Sequence, residues 1–376
     1  MIGKRLAVIG TVALLLLSGC SDRPRSETHV IDSKANRLPS EGEYTPFDVQ
    51  SIYKVLEDQE GVTPLGWTDR QTLLVHKAAP DRSELATAGF PFDSALKLRP
   101  VSVRLPGGDL PASEQWIALL REAEGHAELR LVPLHSLQAE SERTIADIRE
   151  DQVPSLHCAW SGNGQYFGYI VPEPGRGRYR ITVHDTGTNA EEAFEYAPDG
   201  AAVPTVLYIG DDGAQAAVVV RNASGSFSIE YGTLEQKAFT LLLRHDVSRT
   251  SSVEWAGAEQ LMFIGSDFSL YIYDRRNGQI SAILQGVALF DLSPDGKYVA
   301  YAGTDNAVRA AMLYGHNTRA NQLVYRGMLA SRLIWSPDGR QLLLSGRKSY
   351  ASDASQAMQS APVAEEEQHQ VIVFQS

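Results

Sequence analysis

An all-β ring, a propeller of seven four-stranded blades, is the fold this sequence predicts, and three observations predict it. Short apolar strands recur about every forty-five residues along most of the chain. A turn rich in Pro, Asp and Gly follows the first strand of the clearest units. Apolar and polar residues alternate with the two-residue period of a strand and not with the period of a helix. A chain of 376 residues with 43% hydrophobic and 21% charged content is long enough, and apolar enough, for one large packed domain.

The elements follow in chain order. Lys4 and Arg5 form a short positive start, and Leu6 to Leu17 is an apolar run. At about twelve residues it is too short to cross a bilayer, which needs roughly twenty. Leu17-Ser18-Gly19-Cys20 follows, and it resembles the bacterial lipobox, in which a small residue precedes a cysteine that is acylated before cleavage. The resemblance implies a signal peptide over 1–19 and a lipid anchor on Cys20, which places the rest outside the cytoplasmic membrane or, in a cell with two membranes, at the outer one. With Cys20 consumed by lipid, Cys158 has no disulfide partner, and its place beside Trp160 in an apolar strand reads as core. Residues 20–48 are polar and turn-rich and read as a flexible tether to a folded domain over 49–376.

Within 49–376 the first strand of each unit is anchored near Trp67, Trp116, Trp160, Ile209, Trp255, Leu292 and Trp335. Trp116 lacks a following glycine turn; with it the ring has seven blades, without it six and a long insertion. The clearest turns are Ser293-Pro294-Asp295-Gly296 and Ser336-Pro337-Asp338-Gly339, with Trp160-Ser161-Gly162-Asn163-Gly164 a weaker copy. The last unit runs out of chain after Val371-Ile372-Val373-Phe374, one strand short. Val49 to Leu56 stands before the first anchor as an outer strand would, so the N-terminal strand is expected to complete the last blade and close the ring. Closure removes an open sheet edge.

The Ser-Pro-Asp-Gly turns at 293–296 and 336–339 resemble the repeat of TolB-type, WD40-like propellers of bacterial envelopes. Two blades carry the likeness well and about four loosely, and the motif implies a fold and no activity. The extra domain that precedes the TolB propeller has no counterpart here, so a role in the Tol system is not implied.

Chemistry is sparse in the sequence. The nine histidines show no pair at metal-ligand spacing, and no Gly-x-Ser-x-Gly elbow occurs. His184 reads as a sheet residue, Arg176, Arg178 and Arg180 as a solvated basic loop, and Gly162-Asn163-Gly164 as a turn. The chain carries −12 formal charges, and loss of a leader bearing Lys4 and Arg5 makes it two more acidic, which gives it no electrostatic affinity for nucleic acid. No catalytic residue, metal or cofactor is assigned. The expected function is a monomeric, membrane-anchored platform for an envelope protein partner, with a small-molecule or glycan sensor, or an enzyme using the central channel, as alternatives. Two segments are expected to project from one face as the docking surface: a loop from Ala78 to about Ala95, with Phe90 and Phe92 as apolar anchors, and a loop over 347–370, with Glu365, Glu366 and Glu367 as its acidic rim.

Overall fold

The computed structural model describes residues 28–30, 46–56, 61–78, 83–101, 115–134, 142–249, 252–348 and 367–375. Seven antiparallel units follow one another along the chain. The first comprises Val62–Asp69, Thr72–Lys77, Ser83–Gly89 and Ala95–Val101. The second has three strands, Trp116–Ala123, His126–Pro133 and Arg143–Arg149. The third has His157–Trp160, Tyr166–Glu173, Arg178–Asp185 and Glu191–Tyr196, and the fourth Val203–Ile209, Gln215–Arg221, Phe227–Glu235 and Ala238–Val247. Val253–Trp255, Gln260–Ile264, Leu270–Asp274 and Gln279–Leu284 make the fifth; Val287–Leu292, Tyr298–Gly303, Ala307–Tyr314 and Asn317–Arg326 make the sixth. Met328–Trp335, Gln341–Lys348 and Glu367–Phe374 supply three strands of the seventh, and Val49–Lys54 pairs antiparallel to Glu367–Phe374 as its fourth. The ring is thus closed by the N-terminal strand.

Packing explains why closure is stable. Seven hydrophobic clusters are found, one between each pair of neighbouring blades. The seventh joins last to first: Leu343 and Val371 meet Val62, Trp67, Leu73, Val75 and Ala88. Second strands are buried on both faces, as in Gln215–Arg221 and Tyr298–Gly303, because a neighbouring blade covers each side. Outer strands such as Ala238–Val247 keep mostly exposed residues. Each fully buried Val, Leu or Ile contributes about 1.5–3 kcal/mol.

The turns between first and second strands are built alike. Ser293 Oγ donates to Asp295 Oδ1 (2.7 Å) and accepts the Tyr298 N–H (2.9 Å). Ser336 does the same with Asp338 (2.7 Å) and Gln341 (2.9 Å), and Ser161 with Asn163 (2.7 Å) and Tyr166 (2.9 Å). The serine, the Asp or Asn two residues on and a glycine at positive φ (Gly164, Gly296, Gly339) therefore form one device, and the proline is optional. The anchor tryptophans bind one blade to the next: Trp335 Nε1–H donates to Asp291 O (3.2 Å) and Trp67 Nε1–H to Ile334 O (3.1 Å), across the ring seam.

Four expectations need correction. The second blade has three strands among the described residues; after Arg149 the chain makes a 3-10 turn at Val153–Ser155, where Pro154 offers no N–H for a ladder. Residues 78–95 are no long loop, because Leu85, Ala86 and Ala88 bury themselves and pull Ser83–Gly89 into the sheet. Residues 367–370, assigned to the last loop, begin the third strand of the seventh blade. The tether is not wholly free of the ring: Thr28–Val30 adds a parallel strand beside Gln279–Leu284, and Phe47 already lies in the core between blades six and seven. Residues 1–27, including Cys20, lie outside the described residues.

Candidate functional site

The innermost strands bring together acidic groups that are far apart in sequence. Glu254 and Asp291 each stand one residue before the anchor of their strand, Trp255 in blade five and Leu292 in blade six, so the repeat places them at equivalent points of the inner wall. Protein encloses both carboxyls, though each keeps part of its surface exposed. Asp291 is tied across the blade gap, its Oδ2 accepting the Trp335 N–H (2.8 Å). The Glu254 side chain makes no hydrogen bond among the described residues. Desolvation, then the charges of Asp291 and Asp211, hold the Glu254 carboxyl well above the usual carboxylate range. Desolvation pushes Asp291 up to about 7, against the opposing pull of the Trp335 N–H and the Arg332 guanidinium. Arg332, on the inner strand of blade seven, also donates to Pro64 O (3.0 Å) of blade one. Two like-charged groups in an enclosed site cannot both ionise at low cost, so this wall favours a protonated carboxyl or a bound cation.

A second concavity lies at the seam where the ring closes. It is a cavity of about 430 Å³ lined by Lys54, Leu56, Val62, Thr63, Glu367 and His369 among others. His369 holds its wall: Nε2–H donates to Val62 O (3.0 Å) and Nδ1 accepts the Ser345 hydroxyl (2.8 Å). A carbonyl can only accept, which fixes the neutral tautomer, and burial lowers the basicity of the ring.

Of the residues singled out for docking, one is buried and two lie outside the described residues. Phe92 is 0% exposed and packs edge-on to Trp67 (6.0 Å), so it belongs to the core between blades seven and one and is no surface anchor. Phe90 is 50% exposed, with its ring against Tyr53 (4.9 Å) and Phe92 (5.8 Å). Glu367 is a strand residue that accepts from Ser331 Oγ (2.8 Å); Glu365 and Glu366 lie outside the described residues. Phe90 N–H donates to Gln71 O (2.9 Å), which puts Phe90 at the turn end of blade one, whereas Glu367 opens its strand at the other end of blade seven. Both nonetheless border residues 53–56, Phe90 through Tyr53 and Glu367 through the seam cavity it lines with Lys54 and Leu56.

The remaining candidates read as structure. The Cys158 thiol is held strongly protonated by desolvation. Arg178 pairs with Glu195, and Arg176 (3.7 Å) and Arg180 (2.7 Å) pair with Glu173, so each arginine of the basic cluster has an acidic partner. His184 is a buried strand residue whose two ring nitrogens find no hydrogen bond, and burial lowers its basicity. Sequence reasoning passed over Glu254 and Asp291. An acid just before the anchor in two consecutive repeats was the signal that marks them.

No protein-family model matches this chain, and no curated protein matches it. Solved structures do. An oligogalacturonate lyase in complex with manganese aligns at 12% identity and a TM-score of 0.56, over 86% of this chain and 90% of that one. A chain of the mitotic checkpoint complex aligns at 12% identity and 0.53, over 82% and 95%. Hydrazine synthase of Kuenenia stuttgartiensis aligns at 12% identity and 0.49, over 81% and 95%. At such identity the likeness shows the shared all-β propeller fold alone.

Proposed function

We propose that this chain is a lipid-anchored, extracytoplasmic propeller of the TolB-like kind that serves as a non-catalytic platform for an envelope protein. The observation that supports docking is Phe90. A half-exposed aromatic ring fixed by Tyr53 and Phe92 is preorganised, so little conformational entropy is lost when a partner covers it. Affinity capture of the full chain from its own membranes tests this reading. Phe90→Ser leaves the thermal midpoint unchanged and loses the captured protein; capture of the same protein by both forms overturns the site. Anchoring is tested separately. Cys20→Ala abolishes fatty-acid labelling and membrane retention, and a variant that still takes up label overturns the lipid assignment.

A second reading rests on the carboxyls of the inner wall. Glu254 and Asp291 suit a small cationic ligand in the channel, whose charge would replace a bound proton. Thermal-shift titration with amines and divalent cations supports it if a stabilisation seen with the parent is lost in Glu254→Gln. Equal shifts in both proteins exclude it.

A further inference from the structure

We infer that blade two carries a binding site for a divalent transition-metal ion, formed by His126, Glu128 and Asp147. The second strand, His126–Pro133, places His126 and Glu128 two residues apart and so on one face of the sheet. Asp147 of the third strand stands directly opposite Glu128 in the register and joins them. One ligand atom from each lies within 4.8 Å of the other two. All three keep access to solvent, so an ion can enter.

Three donors at that spacing are not enough, since exposed acids often lie near one another. The orientation of the imidazole is the independent observation. His126 Nδ1 lies 3.1 Å from Glu124 O, and because a carbonyl only accepts, Nδ1 carries the proton. In the neutral ring Nε2 then presents a lone pair, and it faces Asp147 Oδ1 at 3.8 Å. The two atoms are near enough for one ion to bind both. A backbone carbonyl holding Nδ1–H while Nε2 faces a carboxylate is the outer-shell arrangement that prepares a histidine for a metal. Two of the neighbouring guanidiniums are already engaged, while Arg121 stands opposite Glu128 in the register. Arg130 spans Glu128 Oε2 (Nε at 2.9 Å) and Glu142 (2.9 Å), leaving Glu128 Oε1 as the ligand atom. Arg149 is paired with Asp151 (2.9 Å).

The donor set decides the class of ion. One imidazole and two carboxylates suit Zn²⁺, Co²⁺ or Ni²⁺, whereas Mg²⁺ and Ca²⁺ prefer all-oxygen sets. Three protein ligands leave at least one position for water or for a donor from another molecule. The ion would also tie the second strand to the third in the one blade that has three strands among the described residues.

Calorimetric titration of the untagged full chain, stripped of metal and held in excess Mg²⁺, tests the site with Zn²⁺. The expected result is one Zn²⁺ per chain, about tenfold or more weaker in each of His126→Gln, Glu128→Gln and Asp147→Asn. His76→Gln, in blade one, serves as the control and keeps the parent affinity. All three altered side chains reach solvent, and near-ultraviolet circular dichroism verifies that each variant is folded. Absence of Zn²⁺ binding, binding unchanged in the three variants, or competition by Mg²⁺ at similar concentration overturns the inference.

Discussion

Asp291 and Glu254 hold more protons in the folded chain than in the unfolded one, and that sets a sign. For an acid whose folded pKa is raised, stability is greatest below the unfolded value and falls as pH rises towards the folded value. The contribution of Asp291 therefore declines from about pH 4 to about pH 7 and then levels off. Asp291→Asn keeps an oxygen for the Trp335 N–H and removes the ionisation. The variant should gain on the parent across that window and be more stable by about 1 kcal/mol at pH 8, measured by urea unfolding. Parallel profiles for the two proteins would show that the pair is not desolvated. His369 acts in the opposite direction. Its lowered basicity costs stability as pH falls below its unfolded value of about 6.5, so the comparison must be between variants and not between pH values alone. Little of this was legible beforehand: the types and positions of these residues are in the sequence, but their enclosure is made by strands from different blades.

At the scale of the element, the turn serine is the part whose removal is most informative. Ser336 is fully buried, and its hydroxyl both braces Asp338 and accepts the Gln341 N–H. Ser336→Ala should cost about 1–3 kcal/mol by leaving that N–H short of a partner, read from the denaturation midpoint. Gly168 tests close approach without any turn. A Cβ there would stand 2.3 Å from Ile209 Cγ1 of the next blade, so Gly168→Ala should cost about 1–3 kcal/mol through overpacking. A variant as stable as the parent would mean that blades three and four can slide apart. These turns were readable because Ser, Asp or Asn and Gly act within a few residues of one another. The 78–95 segment was misread for the converse reason. Ala79-Pro80 looks like a loop start, while the strand after it is stabilised by burial against blades two and seven, which no local window reports.

For the whole molecule, the ring seam is the decisive feature. Val49–Lys54 pairs with Glu367–Phe374, His369 reaches Val62 O, and Trp67 reaches Ile334 O, so residues about three hundred apart hold the ends together. Deleting 49–57 removes an integral strand and opens an apolar edge; it should abolish cooperative unfolding or lower the midpoint by well over 10 °C. Deleting 21–45 removes mainly tether and the short strand at Thr28–Val30, and should change the midpoint by a few degrees at most. Equal midpoints in scanning calorimetry would contradict the shared blade.

The sequence by itself determined the repeat, six anchors near the turn ends of their strands and the strand that closes the ring, because period-two burial and Ser/Asp/Gly turns are written in neighbouring residues; Trp116 instead opens its strand. It also carried the lipobox-like segment ending at Cys20 as a local pattern. Only the tertiary structure decided which aromatic of Phe90 and Phe92 reaches solvent, that blade two stops at three strands among the described residues, and that Glu254 and Asp291 feel the charges of Asp211 and Arg332. Exposure and electrostatic environment depend on what a neighbouring blade places beside a residue, and that neighbour lies about forty-five residues away or, at the seam, at the other end of the chain.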